Sequence, residues 1–191
     1  MNFCSICGSP VTLKIPPNDN LLRYVCIKCS AIHYQNPKIV VGAIPYWNES
    51  SNGKILLCRR AIEPRYGFWT LPAGFLENNE TTGQAAVRET YEEAQARIDL
   101  LSLYTILNVA HAHQVHLFYR SNLLGLDFSP GIESLDVQLF SESEVPWDKI
   151  AFPTVTKTLE LFFQDLSESN RLGKAFGFYT LDIEKKLPVN N

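Results

Sequence analysis

The sequence predicts an α+β or α/β domain preceded by a small N-terminal metal-binding unit, and three observations carry that expectation. Runs of β-branched and apolar residues alternate with two stretches of helical periodicity, in the order sheet, helix, sheet, helix. Four of the five cysteines stand in two pairs, Cys4-x2-Cys7 and Cys26-x2-Cys29, with 18 residues between the pairs. Finally, 191 residues that are 46% hydrophobic and 19% charged suffice for one buried core plus an appendage.

The charge balance narrows the function. Seventeen Lys and Arg against twenty Asp and Glu give a formal charge of −3. A general nucleic-acid or anionic-membrane binder would show a basic excess, so neither partner is expected. No apolar run approaches the roughly 18 residues that span a bilayer. Met1-Asn2-Phe3-Cys4 lacks the basic-then-apolar pattern of a secretory leader, and the chain reads as cytoplasmic.

Residues 1–36 form the first unit. In a reducing compartment, paired cysteine spacing signals a metal rather than disulfides. A two-residue gap lets both thiolates of a knuckle face one ion, so Cys4, Cys7, Cys26 and Cys29 should close a tetrahedral, structural zinc site. Gly8 relaxes the turn after the first knuckle, and Ile15-Pro16-Pro17-Asn18-Asp19-Asn20 is a loop between the halves. Cys58, within Ile55-Leu56-Leu57-Cys58, reads as a buried small hydrophobe.

Pro37 favours an extended approach to a strand over Ile39–Trp47, and a polar turn at 48–53 leads to a second over Lys54–Arg60. A loop at 63–67 precedes the short run Phe68-Trp69-Thr70-Leu71. The helix at Thr82–Ala96 is capped by Thr81 or Thr82, and Ala86, Thr90 and Ala94 recur four apart as a packing stripe. Strands are expected at Ile98–Val109, Val115–Leu124 and Val137–Phe140, then a helix over Val155–Leu166. The run His111-x-His113-x2-His116 lies within or beside a strand, where His111 and His113 would share a face and His116 take the other, an arrangement that does not favour a second metal site. Residues 171–191 are expected to form a tail.

The chemistry sits in Arg88-Glu89-Thr90-Tyr91-Glu92-Glu93. Helical spacing puts Glu89, Glu92 and Glu93 on one face, where three carboxylates repel unless a cation neutralises them. One guanidinium, Arg88, cannot balance three charges. Clustered hard oxygens suit Mg²⁺ or Mn²⁺, which in turn suit substrate phosphates.

Read outward, the pattern is Gly74-x5-Glu80-x7-Arg88-Glu89-Thr90-x-Glu92-Glu93-x-Gln95-Ala96. It resembles the Nudix box, Gly-x5-Glu-x7-Arg-Glu-U-x-Glu-Glu-x-Gly-U, with U a bulky aliphatic. Thr90 and Ala96 depart from bulky aliphatics, and Gln95 replaces the helix-ending glycine. A left-handed Gln95 would cost about 1–2 kcal/mol. With the cysteine pairs, Asn36-Pro37-Lys38 and Pro146-Trp147-Asp148-Lys149-Ile150-Ala151-Phe152-Pro153, the chain resembles the zinc-ribbon Nudix hydrolases over most of residues 1–165.

That resemblance implies an α+β fold, an α/β/α sandwich around a mixed sheet, with a zinc ribbon at 1–36 and a Nudix domain at 37–170. It implies metal-dependent hydrolysis of a nucleoside diphosphate linked to another moiety X. Glu89 and Glu93 would be direct Mg²⁺ or Mn²⁺ ligands, with Glu92 sharing the cluster and the Ala73 carbonyl a further ligand. Arg88 would orient carboxylates, Glu77 and Glu80 would take metal or structural roles, and Glu133 is the loop candidate for the general base. Arg59, Arg60 and Arg65 are candidates for gripping phosphates, and a homodimer is compatible with the family. The Ser-Gln-Pro-Trp-Pro-Phe-Pro run of the NADH type is absent, residues 97–129 hold no proline, and His113 and Gln114 stand where a dinucleoside-polyphosphate tyrosine would fall. The overall look is closest to FAD or ADP-ribose pyrophosphatases releasing AMP, with an NADH or NAD pyrophosphatase and a non-catalytic ligand sensor as alternatives. A zinc-ribbon nucleic-acid module would need more basic residues near the knuckles than Lys14, Arg23 and Lys28.

Overall fold

The structure, a computed structural model, describes residues 1–48 and 53–184, and these fall into two units, Met1–Pro37 and Lys38 onward. The first unit is a three-stranded antiparallel sheet of β1 (Val11–Lys14), β2 (Arg23–Cys26) and β3 (Ile32–His33). The turn before β2 is built on Asp19, whose carboxylate accepts from the amides of Asn20 and Leu21 and from Arg23 Nε at 2.9 Å.

The second unit is a mixed sheet. Its strands are β4 (Lys38–Trp47), β5 (Lys54–Arg60), the short β6 (Trp69–Thr70) and β7 (Ala73–Phe75), β8 (Ile98–Val109), β9 (Gln114–Leu123), β10 (Ser134–Phe140) and β11 (Tyr179–Asp182). The order is β10-β5-β4-β9-β8-β11, with β6 on β5 and β7 on β4. Pairings β4/β9 and β8/β11 are parallel, and the others are antiparallel. Strand β4 pairs with β5 only at Tyr46 and Trp47, because β7 takes the place beside Val40–Gly42. That insertion carries Gly74 to the middle of the sheet.

Helices α1 (Thr82–Ala94) and α2 (Pro153–Leu172) cover opposite faces, which the alternation along β4 makes plain. Val41 and Ala43 pack with Ala85, Ala86 and Ala94 of α1, whereas Ile44 packs with Val155, Leu159, Phe162 and Phe163 of α2. The α2 side holds the larger side chains, among them Tyr104, Phe118 and Phe162, each fully buried. Burying one such side chain contributes about 1.5–3 kcal/mol.

Several boundaries differ from the sequence expectation. Helix α1 stops at Ala94, because Ala96 and Ile98 are buried and the chain must turn at once into β8. Helix α2 extends to Leu172, since its polar second half meets no breaker before Gly173, which caps it at φ 67°. Strand β10 begins three residues early, at Ser134. Residues 171–191 are not simply a tail: 171–172 finish α2, and Tyr179–Asp182 add a parallel edge strand to β8. The turn at 48–53 lies partly outside the described residues, as do 185–191. The histidines are also placed differently. Residues Ala110–Ala112 form a short 3-10 turn, His113 is left-handed at φ 54°, and of the run 111–116 only His116 lies on a strand, β9.

Candidate active site and zinc centre

The four cysteines come together as their spacing predicts. Their Sγ atoms all lie within 4.8 Å of one another, with Cys4–Cys29 at 3.7 Å and Cys7–Cys26 at 3.4 Å. A tetrahedron of Zn–S bonds of about 2.3 Å has edges of about 3.8 Å, so the set has the size of a closed zinc site. Backbone amides of Ile6, Lys28 and Cys29 point at the sulfurs, the first at Cys4 and the others at Cys26, each at 3.4 Å. The amides of Cys29 and then Lys28 pull the Cys26 thiol down to about 6, toward the thiolate a metal needs. His33 Nε2 lies 3.3 Å from Cys4 Sγ, a neighbour the spacing did not reveal. Among the described residues no other group of three or more His, Cys, Asp or Glu converges so closely, and the histidine run does not.

The second centre is built on α1. Thr81 caps the helix reciprocally: its side chain accepts from the Gln84 amide at 3.2 Å, and Gln84 Oε1 accepts from the Thr81 amide at 2.8 Å. Ala85, Ala86, Thr90 and Ala94 then bury one face, so the register of Glu89 and Glu93 against the sheet is fixed. Thr90 fits where an aliphatic is usual because its hydroxyl donates to the Ala86 carbonyl at 2.7 Å. At the far end Gln95 adopts φ 49°, ψ 20°, a left-handed cap, and its amide bonds to the Tyr91 carbonyl.

Arg88 is the hub of the acidic residues. Its Nε and Nη2 donate to Glu80 at 2.9 and 2.7 Å, its Nη1 to Glu89 at 2.7 Å and Glu92 at 3.0 Å, and Nη2 also to the Phe75 carbonyl at 3.1 Å. The bidentate guanidinium pulls Glu80 down to about 2, which identifies Glu80 as the partner of Arg88 and ties the loop to the helix. Glu77 is exposed, and only its backbone amide takes part, donating to Glu80 at 2.7 Å.

Glu89 and Glu93 differ from the rest. Both are buried, at 8% and 7% exposure, whereas the Glu92 side chain is 56% exposed. Burial pushes Glu89 up despite Arg88. Glu93 is pushed up to about 8, by burial first, with the Glu89 and Glu133 charges adding to it against the Ala73 amide and Arg60. Its carboxylate accepts from the Ala73 amide at 3.3 Å. Arg88 serves Glu80, Glu89 and Glu92, Arg60 acts on Glu93 only from a distance, and burial holds Glu93 toward its protonated form, so the positive groups fall short of the four acids. This donor set fits a hard divalent cation, which would supply the missing charge.

Two glycines make the room. A Cβ on Gly74 would stand 2.3 Å from the Glu89 carboxylate oxygens, so only glycine lets that carboxylate lie on the β7 backbone. A Cβ on Gly131 would stand 1.8 Å from the Glu92 carbonyl. That loop is pinned to the end of α1 by Ser129 N to Ala94 O and Gly131 N to Glu93 O, both 2.9 Å. It brings Glu133 close enough to act on both buried glutamates. Gly131 is the one residue of the sequence that signals this pinning.

The arginines are placed unequally. Arg60 stands over the Phe152 ring at 5.1 Å, donates to the Pro64 carbonyl and acts on Glu93. Arg59 donates to the Gly67 carbonyl at 3.1 Å, and Arg65 lies over Phe68 at 5.4 Å. Cys58, buried in β5, also comes near: burial and the Glu93 charge both raise its thiol. Among the described residues no helix is long and apolar enough to cross a membrane.

A family model described as the NUDIX domain matches residues 36–159, and a zinc-ribbon model described as Nudix N-terminal matches residues 2–35. A crystal structure of a NUDIX hydrolase from Nitrosomonas europaea is 51% identical with a TM-score of 0.87, covering 97% of this chain and 100% of that one. A protein named NAD-capped RNA hydrolase NudC, from Photobacterium profundum, is 26% identical over 84% of this chain, which spans 59% of that relative's length. An ADP-ribose pyrophosphatase from Methanocaldococcus jannaschii is 28% identical over 62% of this chain and 69% of its own.

Proposed function

The chain belongs to the Nudix hydrolase family, with a zinc-ribbon N-terminus, and from that premise we propose that it hydrolyses the pyrophosphate bond of a nucleoside diphosphate linked to another moiety, FAD or ADP-ribose, releasing AMP. One observation supports this above the rest: the buried pair Glu89 and Glu93, held against Gly74 and the Ala73 backbone with too little positive charge of its own. A ligand sensor would have no need to keep such a pair buried.

In this reading Glu89, Glu93 and the Ala73 carbonyl hold Mg²⁺ or Mn²⁺, and Glu92 shares the cluster from its solvent-facing side. The bound cation would screen the pyrophosphate charge and acidify a water. Arg88 fixes the Glu89 carboxylate and locks the box loop through Glu80, a positioning role. Arg60, beside Glu93, is the best placed of the three arginines to bind a phosphate, with Arg59 and Arg65 bracing or flanking the loop. Glu133 is the candidate for accepting the proton of the attacking water, because the pinned loop keeps its charge beside both glutamates. Glu77, exposed and without side-chain partners among the described residues, lends little support to a metal role. The cysteine set holds Zn²⁺ for structure alone, since four thiolates leave no open position.

ADP-ribose is favoured by a relative named for its hydrolysis. The relatives named as NAD-capped RNA hydrolases keep an NADH or NAD pyrophosphatase as the second reading. A panel of FAD, ADP-ribose, NADH, NAD and dinucleoside polyphosphates with Mg²⁺ or Mn²⁺, products separated by chromatography, decides between them. AMP from FAD or ADP-ribose is the expected product. Cleavage of none of them with either metal overturns the proposal, and preference for NADH or NAD moves it to the second reading.

A further inference from the structure

On the sheet face covered by α2, and away from α1, a cavity of about 240 Å³ opens beside the end of β4. Aromatic side chains of Tyr46, Phe162 and Phe176 line it together with Asn122, Ser169 and Arg120, and none of the described residues that line it is acidic. The alternation on β4 separates it from the candidate active site. Val41 and Ala43 face α1, whereas Tyr46 packs with the α2 cluster.

Arg120 is the unusual member. Its guanidinium carbon lies 3.6 Å from the centre of the Phe176 ring, and its Nε is buried with no hydrogen-bond partner. Among the described residues it forms no ion pair. The neighbouring acid, Asp165, favours the Arg120 charge from a distance but is engaged elsewhere. Its carboxylate accepts from Tyr104 and Tyr179 hydroxyls at 3.1 and 2.7 Å and from the Gly177 amide at 2.7 Å. A half-buried cation without a partner is costly, and burial draws its proton affinity down. The guanidinium, stacked on Phe176, therefore lies at a cavity whose described lining holds no acid.

We propose that this cavity is a binding site for a small oxyanion, a phosphate or a carboxylate, held by the Arg120 guanidinium with the Asn122 amide and Ser169 hydroxyl as further donors. A guanidinium matches both anions through paired N–H donors, and a stacked one is already ordered for the task. The hydrolysis proposed above releases phosphomonoesters, so a phosphate here would report on product, though the site itself does not depend on that reading.

Isothermal titration of the full chain with inorganic phosphate and with malonate, at fixed ionic strength and without Mg²⁺ or Mn²⁺, tests it. Saturable binding is expected in the wild type, at least tenfold weaker in Arg120→Met and unchanged in Glu93→Gln, and the preferred ion names the anion class. Arg120→Lys, which keeps the charge but loses the fork, should also bind several-fold more weakly, and it serves where Arg120→Met does not fold by circular dichroism. Equal binding in the Arg120 variants, loss in Glu93→Gln, or no saturable heat with either ion overturns the proposal.

Discussion

His116 illustrates how burial rather than sequence position sets the behaviour of single residues here. Its ring is half-buried on β9, and burial holds it down to about 4, so it stays neutral in the fold. The unfolded chain takes up the proton from about pH 6.5 downward, while the native chain resists until about pH 4. The imidazole therefore costs no stability above pH 6.5 and a growing amount between pH 6.5 and 4, on the order of 2 kcal/mol at the acid end. Denaturant melts at stepped pH should show that acid slope in the wild type and a shallower one in His116→Gln. Parallel slopes would assign the acid sensitivity elsewhere. Strand alternation set His116 on the face opposite His111 and His113, but the turn at Ala110–Ala112, which has no strong breaker, was not legible. That Glu89, Glu92 and Glu93 share a helix face was legible from spacing alone. The division of labour among the acids was not, because the pairing of Glu80 with Arg88 spans eight residues and a loop.

At the scale of elements, α1 shows what local chemistry decides. Its start is written in the reciprocal Thr81–Gln84 cap and its face in the Ala86, Thr90, Ala94 stripe, so the element was legible to within two residues. Its end depends on Gln95 adopting a conformation that glycine adopts at no cost. Gln95→Gly should stabilise the chain by about 0.5–1 kcal/mol, read from urea midpoints. The gain is reduced by loss of the 3.0 Å contact from the Ser129 hydroxyl to Gln95. A net loss would mean that this contact outweighs the backbone strain. The second half of α2 and the edge strand β11 were hidden for the opposite reason. Their support is tertiary: Asp165 gathers Tyr104, Gly177 and Tyr179, and β11 completes itself only on β8.

For the whole molecule, the division into a metal unit and a catalytic unit predicts separable responses. The first unit has few fully buried apolar side chains besides its cysteines, Val25 being one, so its stability should rest on the metal. Freshly purified protein should carry about one zinc per chain, by the four-ligand stoichiometry of a closed site. Cys26→Ser should release the metal and raise amide exchange across residues 1–37, leaving the protection of the sheet core intact. Absence of zinc, or a disulfide among these cysteines, would remove the site. The zinc unit was the most legible part of the chain, since four residues at fixed spacing carry it. The catalytic face needed the sheet, whose β7 insertion brings Gly74 under Glu89.

The measurement that reaches furthest is turnover of Glu93→Gln on the preferred substrate at saturating Mg²⁺, paired with a thermal melt without divalent cation. Glu93 is buried and pushed up to about 8, so in the metal-free chain a neutral amide of the same shape should leave stability unchanged or slightly raised. Turnover should fall on the order of a hundredfold or more, because a bound cation supplies several kcal/mol of transition-state stabilisation. A Glu93→Gln chain that melts as the wild type and turns over at a near wild-type rate would contradict the assignment of the α1 carboxylates as the catalytic cation site.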